Sequence, residues 1–354
     1  MNKQCKGFKT DGSRCSRPAK KNQYCWQHQK SKNQQTPIVN QGQTTTSTSQ
    51  STNKPVWTVK PVQTPKPIYF KVANFNVLNH LHLNKFTKFS ESVDQSIDRY
   101  LYAITLLLEY VDQYQISAVG LSEVTDEFHD AFVAYMKNEI TAGNVTLFYE
   151  GQSLMTVFFD NRNLRLQKIS QVDVEYHPHR DRLQIFNLSI QKSGQSKKLT
   201  FINIHGYGLP EIREKYLYNT LLYINQLRTS GVIHNQLICC GDFNSDLDQV
   251  NVVAQRMFND TGTTDFHVYQ NFFSTSYHRY ILTSNGEFEE KPKALWYSKM
   301  DQLLYTDPLT VLAFERVPHD FTTSEHPYKW VNGYQEMGQW PSDHTLNIYQ
   351  FVWS

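Results

Sequence analysis

Along the larger, second part of this chain, short apolar runs recur, and each carries an amide, a carboxylate or an imidazole at one end. YFKVANFN ends at Asn76, ISAVGLSE at Glu123, LTFINIH at Asn203 and His205, and LICCGDFN at Asp242 and Asn244. MDQLLYT carries Asp301 at its start, and the last run, TLNIYQFVW, overlaps PSDH with Asp343 and His344. Runs of this length and apolarity are read as buried strands. Helical patterns lie between them. Val93, Ile97, Leu101, Ile104, Leu108 and Val111 are three or four residues apart, which predicts one apolar helix stripe, and Ser92 with Gln95 reads as a capping box. A second helix is expected to open at Pro210, with Glu211 and Glu214 in its first turn. Helices interleaved with buried strands predict an α/β sandwich built from two sheets. Strand ends converge at one rim of such a fold, so these polar groups are expected to meet in one cleft.

The front of the chain has a different composition. Residues 31–66 are rich in Ser, Thr, Gln, Asn and Pro and offer little apolar surface to offset the entropy of folding, so they are read as a disordered linker. Ahead of it, Cys5, Cys15, Cys25 and His28 give C-x9-C-x9-C-x2-H, four soft ligands in a segment too short to bury a core. Zn²⁺ ligation is the expected source of its fold. The expected organisation is therefore a zinc module over 1–30, a linker over 31–66 and a catalytic domain over 67–354. GSRC and YCWQH resemble small cysteine-rich modules on other nucleic-acid enzymes and on viral proteins.

Charge divides along the same line. Residues 1–66 hold twelve Lys or Arg against Asp11 alone, a balance of +11, which leaves −9 of the total +2 for residues 67–354. A basic arm favours polyanions through counterion release. The polar amino terminus excludes a signal-peptide core, and no apolar run is long enough to span a membrane. Five cysteines, an odd number, suit reduced thiols, and the chain is expected to be intracellular and monomeric. Cys239 and Cys240 are read as small buried hydrophobes, and HPHR, at His177 to Arg180, as a solvated loop.

Taken together, NFNVLN, the arginine-led RYLYAITLLLEYVDQYQISAVGLSEV, NIHGYG, GDFNSD, MDQLLY and SDH resemble the endonuclease/exonuclease/phosphatase superfamily in motif order. That superfamily includes deoxyribonuclease I, apurinic endonucleases, poly(A) deadenylases, sphingomyelinases and inositol polyphosphate phosphatases. The resemblance covers roughly residues 68–354 and departs at Ser122, where the family often has glutamine. It implies a deoxyribonuclease I-like fold and Mg²⁺- or Mn²⁺-dependent hydrolysis of a phosphodiester by water, with nucleic acid as the expected substrate. A hard cation held by carboxylates and water can neutralise the charge that builds on phosphate oxygens. Glu123 is the candidate metal ligand, with Asn76 and Asp343 completing its shell. Asp242 is the candidate general base and Asn244 the phosphate-holding amide. Asp301 orients His344 on the phosphate, and His205 stabilises the same oxygens or the leaving group. An inositol phosphate phosphatase is the alternative within this chemistry, disfavoured because SKMDQ stands where such enzymes carry Trp-Cys-Asp-Arg. A zinc-module adaptor with a degenerate domain is the alternative without catalysis, disfavoured by the intact acid, base and metal set.

Overall fold

The computed structural model describes residues 67–79, 93–151, 153–160, 165–174, 177–192, 195–270, 276–278, 280–282, 288–290, 296–298, 300–317, 342 and 344–353. The expected zinc ligands Cys5, Cys15, Cys25 and His28, the linker 31–66, the cap residue Ser92 and the candidate ligand Asp343 lie outside the described residues. The chain divides into two units, Met1–Val62 and Gln63–Ser354, and the described residues all belong to the second.

Its strands are β1 Ile68–Asn76, β2 Ala118–Ser122, β3 Val145–Tyr149, β4 Leu154–Phe159, β5 Arg165–Val172, β6 Leu183–Lys192, β7 Gln195–His205, β8 Leu237–Asp242 and β9 Phe266–Val268. Four three-residue strands come next, β10 Ser276–His278, β11 Tyr280–Leu282, β12 Phe288–Glu290 and β13 Trp296–Ser298, then β14 Asp301–Thr306, β15 Leu309–Val317 and β16 Leu346–Trp353. One six-stranded sheet has the order β15-β16-β1-β2-β4-β3 and the other β5-β6-β7-β8-β14-β9, an α/β sandwich of the expected class. Each sheet contains one parallel pair, β1 with β2 and β7 with β8. The helices Val93–Tyr114 and Pro210–Thr229 are their crossovers, as parallel pairing requires.

Alternation along the strands assigns the layers. Ala73 and Phe75 of β1, with Val77 just beyond it, pack with the Val93–Tyr114 and Asp126–Thr141 helices. On the opposite face, Ile68, Phe70 and Val72 join Phe186, Leu188, Phe201, Ile238, Cys240, Leu303 and Phe351 in a core between the sheets. The second sheet buries its outer face under Pro210–Thr229 and Leu247–Thr261. The order is helix, sheet, sheet, helix. No helix among the described residues is long and apolar enough to cross a membrane.

The sheets meet closely. Gly120 of β2 faces Asn203 of β7, and a Cβ at Gly120 would lie 2.6 Å from Asn203 Oδ1. Asn203 fills that space and donates to the carbonyls of Leu121 and Met155. Gly241 has φ +147°, and a Cβ there would come within 2.0 Å of the Ile204 carbonyl, so the residue before Asp242 must be glycine for β8 to lie this close to β7.

Two expectations are corrected. The Val93–Tyr114 helix exists, but Leu101 is exposed, and the buried face is Tyr100, Ala103, Ile104, Leu107 and Val111. Arg99 turns the helix: its guanidinium donates to the carbonyls of Val77 and Leu78 just beyond β1, which carries Tyr100 inward against Phe128. HPHR is solvated only in part: Pro178 and Arg180 are exposed, but its first residue is not. His177 is buried against Tyr216 and Tyr223, its Nδ1 accepts from the His179 N–H, and desolvation lowers its pKa. Cys239 and Cys240 are buried free thiols, as expected.

Candidate active site

The inter-sheet core changes character along each central strand. On β1 the inward series runs Ile68, Phe70, Val72, Asn74, Asn76; on β7 it runs Leu199, Phe201, Asn203, His205; on β8 it runs Ile238, Cys240, Asp242. Antiparallel β14 begins at the same end with Asp301, which pairs in register with Asp242, and Asp242 pairs in turn with His205. The polar ends of one apolar layer thus form a single cluster, which is what the pattern of apolar runs ending in polar residues predicts.

Asn76 joins the sheets at its centre. Its amide donates to Glu123 Oε1 at 2.9 Å and Asp242 Oδ2 at 3.1 Å, carboxylates from opposite sheets. Glu123 Oε2 accepts from the Asn79 N–H, and Asp242 Oδ1 accepts from the Asn244 N–H at 2.8 Å. Glu123 and Asn244 both sit in the left-handed backbone region, at φ +58° and +48°. For non-glycine residues this costs on the order of 1 kcal/mol or more each, held in place by the surrounding bonds. The Asn244 amide donates to Gly206 O.

His344 Nδ1 lies 2.9 Å from Asp301 Oδ2, and its Nε2 faces Asp242 Oδ2 at 3.7 Å. His205 Nε2 stands 4.0 Å from both Glu123 Oε1 and Asp242 Oδ2. Ligand atoms of Glu123, His205 and Asp242 all fall within 4.8 Å of one another, a possible metal-binding triad. The donor set fits a divalent cation for an electrostatic reason. Burial pushes the Asp242 carboxyl up to about 7 and Asp301 pushes it the same way, against the pull of His344 and the hydrogen bonds from Asn244 and Asn76. A cation among these oxygens would offset that burial penalty.

Of the nine groups named from sequence, Asn76, Glu123, Asn203, His205, Asp242, Asn244, Asp301 and His344 belong to this cluster or its floor, and Asp343 lies outside the described residues. Three further contributors escape the sequence reading. Ser342 donates to Asn76 O at 2.6 Å and accepts the His344 N–H, Arg99 braces the loop that presents Asn79, and Asn74 bonds Asp301. Position in SDH signals the first. For Asn74 the signal is its place on the inward face of β1, two residues before Asn76.

The same sandwich occurs in solved structures. TDP2 of D. rerio, complexed with single strand DNA product, matches with a TM-score of 0.52 and 14% identity over 80% of this chain and 98% of that one. ANGEL2, a 2',3'-cyclic phosphatase in complex with adenosine-2',3'-vanadate, matches with 0.52 and 14% over 81% and 96%. An endonuclease/exonuclease/phosphatase family protein from Bacteroides thetaiotaomicron matches with 0.52 and 11% over 82% and 100%. The chain shares the fold of these structures, a two-sheet α/β sandwich of the deoxyribonuclease I-like kind. On this fold the present chain carries its cluster at the ends of β1, β2, β7, β8 and β14 and on the segment entering β16. A family model described as a domain of unknown function, DUF5763, matches residues 2–39. Comparison with curated proteins gives no match.

Proposed function

We propose that the protein is a Mg²⁺-dependent phosphodiesterase that hydrolyses nucleic acid. The observation that carries this reading is the joining of three carboxylates and two imidazoles, drawn from both sheets, around the Asn76 amide. A structural core has no use for such a density of buried titratable groups, whereas charge development on a phosphate does. Glu123, with Asn76, Asp343 and the nearby Asp242 and His205, would hold the cation, and mostly oxygen donors favour a hard ion. When bound, the cation supplies neutralisation of charge on the phosphate oxygens.

The protein's own groups divide the remaining work. Asp242, fixed through both oxygens by Asn244 and Asn76, is positioned as the proton acceptor for the attacking water. The Asn244 amide, anchored on Gly206 O, keeps a second N–H for a phosphate oxygen. His344, oriented by Asp301, and His205 donate to the developing negative charge. No side chain in these roles attacks phosphorus, so no covalent enzyme intermediate is expected.

A nucleic-acid substrate is supported by the basic front of the chain and agrees with the DNA product in the TDP2 structure. Purified protein should hydrolyse bis-p-nitrophenyl phosphate with Mg²⁺ and lose that activity in EDTA. Labelled single-stranded and duplex DNA and RNA, tested beside an inositol polyphosphate, then identify the physiological class. Hydrolysis of the inositol phosphate alone would replace nuclease by phosphatase. No hydrolysis of any ester would leave the adaptor reading.

The amino-terminal segment is proposed to be a Cys3His zinc module over 1–30, followed by a linker and by the catalytic domain from 67. Elemental analysis of protein purified without chelator should give one Zn²⁺ per chain, lost when residues 1–30 are deleted. Metal-free protein would remove the assignment of Cys5, Cys15, Cys25 and His28.

A further inference from the structure

Strand β1 places five side chains on the inter-sheet face, and the first three, Ile68, Phe70 and Val72, are ordinary core. The fourth, Asn74, is as buried as they are, at 1% exposure. Its Nδ2 donates to Asp301 Oδ1 at 2.9 Å, while Asp301 Oδ2 faces His344 Nδ1 at 2.9 Å. One carboxylate is therefore gripped from two sides, by an amide of one sheet and an imidazole at the entry to β16.

The amide has a cost that packing does not explain. Asn74 Oδ1 is buried and meets no hydrogen-bond donor among the described residues. Its register partner on β16, Asn347, has its own side chain committed to Thr345, accepting from the hydroxyl and donating to the carbonyl. A valine, as at Val72, would fill a core position without an orphaned oxygen. What asparagine adds is the N–H on Asp301.

We infer that Asn74 is a positioning residue for the Asp301–His344 pair. With Oδ1 held by Asn74, the Asp301 carboxylate cannot rotate about its Cβ–Cγ bond, so Oδ2 stays directed at His344 Nδ1. A carboxylate oxygen only accepts, so Nδ1 carries the hydrogen and the ring is held with Nε2 towards Asp242 and the reacting phosphate. The inference rests on the phosphodiesterase reading for its effect on rate, but not for its effect on the imidazole. Partners that orient an active group in this way are typically worth about ten- to a hundredfold in activity.

The test uses the full chain with Mg²⁺ and bis-p-nitrophenyl phosphate. Asn74→Ala should lower kcat about tenfold or more at nearly unchanged KM, and should have less than a twofold effect when added to His344→Ala, because the group it positions is then gone. In nitrogen-edited proton spectra, the His344 Nδ1–H signal should be sharp and low-field in the wild type and lost or moved upfield in Asn74→Ala. Asn74→Ser, which leaves a smaller void, is measured alongside. If neither variant folds, exchange protection of the Asn74 amide in the wild type, lost in Asp301→Ala, decides the matter. A folded Asn74→Ala within twofold of wild-type kcat, an equal loss in the His344→Ala background, or an unchanged Nδ1–H signal would overturn the inference. A wild-type protein that hydrolyses no phosphodiester would overturn the proposed function instead, and the spectra would still report on Asn74.

Discussion

Glu123→Gln and His344→Ala should each lower turnover of a small phosphodiester by a hundredfold or more, on the order of 3 kcal/mol of transition-state stabilisation. Glutamine at 123 keeps the volume and can still accept from the Asn79 N–H, but its amide nitrogen cannot accept from Asn76, and it removes the charge proposed to bind the cation. Its stability in EDTA should fall by roughly 1–3 kcal/mol for the lost Asn76 bond, and the further stabilisation that Mg²⁺ gives the wild type should be lost. His344→Ala instead takes a partner from the fully buried Asp301 carboxylate. It should also lose roughly 1–3 kcal/mol of stability, so its kinetics belong below its own melting transition. Either variant, folded and within tenfold of wild-type turnover at saturating Mg²⁺, would remove that residue from the mechanism.

Deleting residues 1–66 should raise KM for long nucleic acid tenfold or more and leave kcat on a small diester nearly unchanged. The remaining residues carry −9, so the approach of a polyanion is opposed at long range except where a bound cation offsets it. The twelve Lys and Arg of the deleted segment, covalently joined to these residues, would otherwise raise the local concentration of a polyanion. Each phosphate they neutralise adds about 0.7–0.9 to the slope of log affinity against log salt, so truncation should also flatten that slope. Unchanged KM and salt slope in the truncated protein would mean that the segment serves a different partner.

The sandwich and most of the cluster are legible in the sequence because both follow from one alternation. Where an apolar run ends in Asp242 or His205, the residue that breaks the run still points where its predecessors pointed. Phe201 and His205, four residues apart on β7, share a face, and only the surroundings change from core to cleft. Asn74 escapes for the complementary reason. It stands inside the apolar run, and its bond to Asp301 spans 227 residues of chain, beyond any local spacing. The rotation of the Val93–Tyr114 helix is hidden in the same way. Charge puts Arg99 on the solvent side of any pattern count, and only the carbonyls of Val77 and Leu78 make its burial favourable. The burial of His177 is equally invisible along the chain, because Tyr216 and Tyr223, the rings around it, belong to a helix some forty residues later.

The Asn76 amide ties together carboxylates that belong to different sheets, and Asn203 ties β7 to the carbonyls of Leu121 and Met155 below them. Neither sheet alone holds a complete set of reacting groups. The constellation therefore exists only while the sandwich is closed, and it has no counterpart in a half-folded species that keeps one sheet and its helices. Enzymes whose reacting groups ride on a surface loop can fail by local fraying long before they unfold. In this chain the same contacts set the cooperativity of the fold and the integrity of the cleft, so a substitution at Gly120 or Asn203 that lets the sheets slip by a fraction of an ångström perturbs both together.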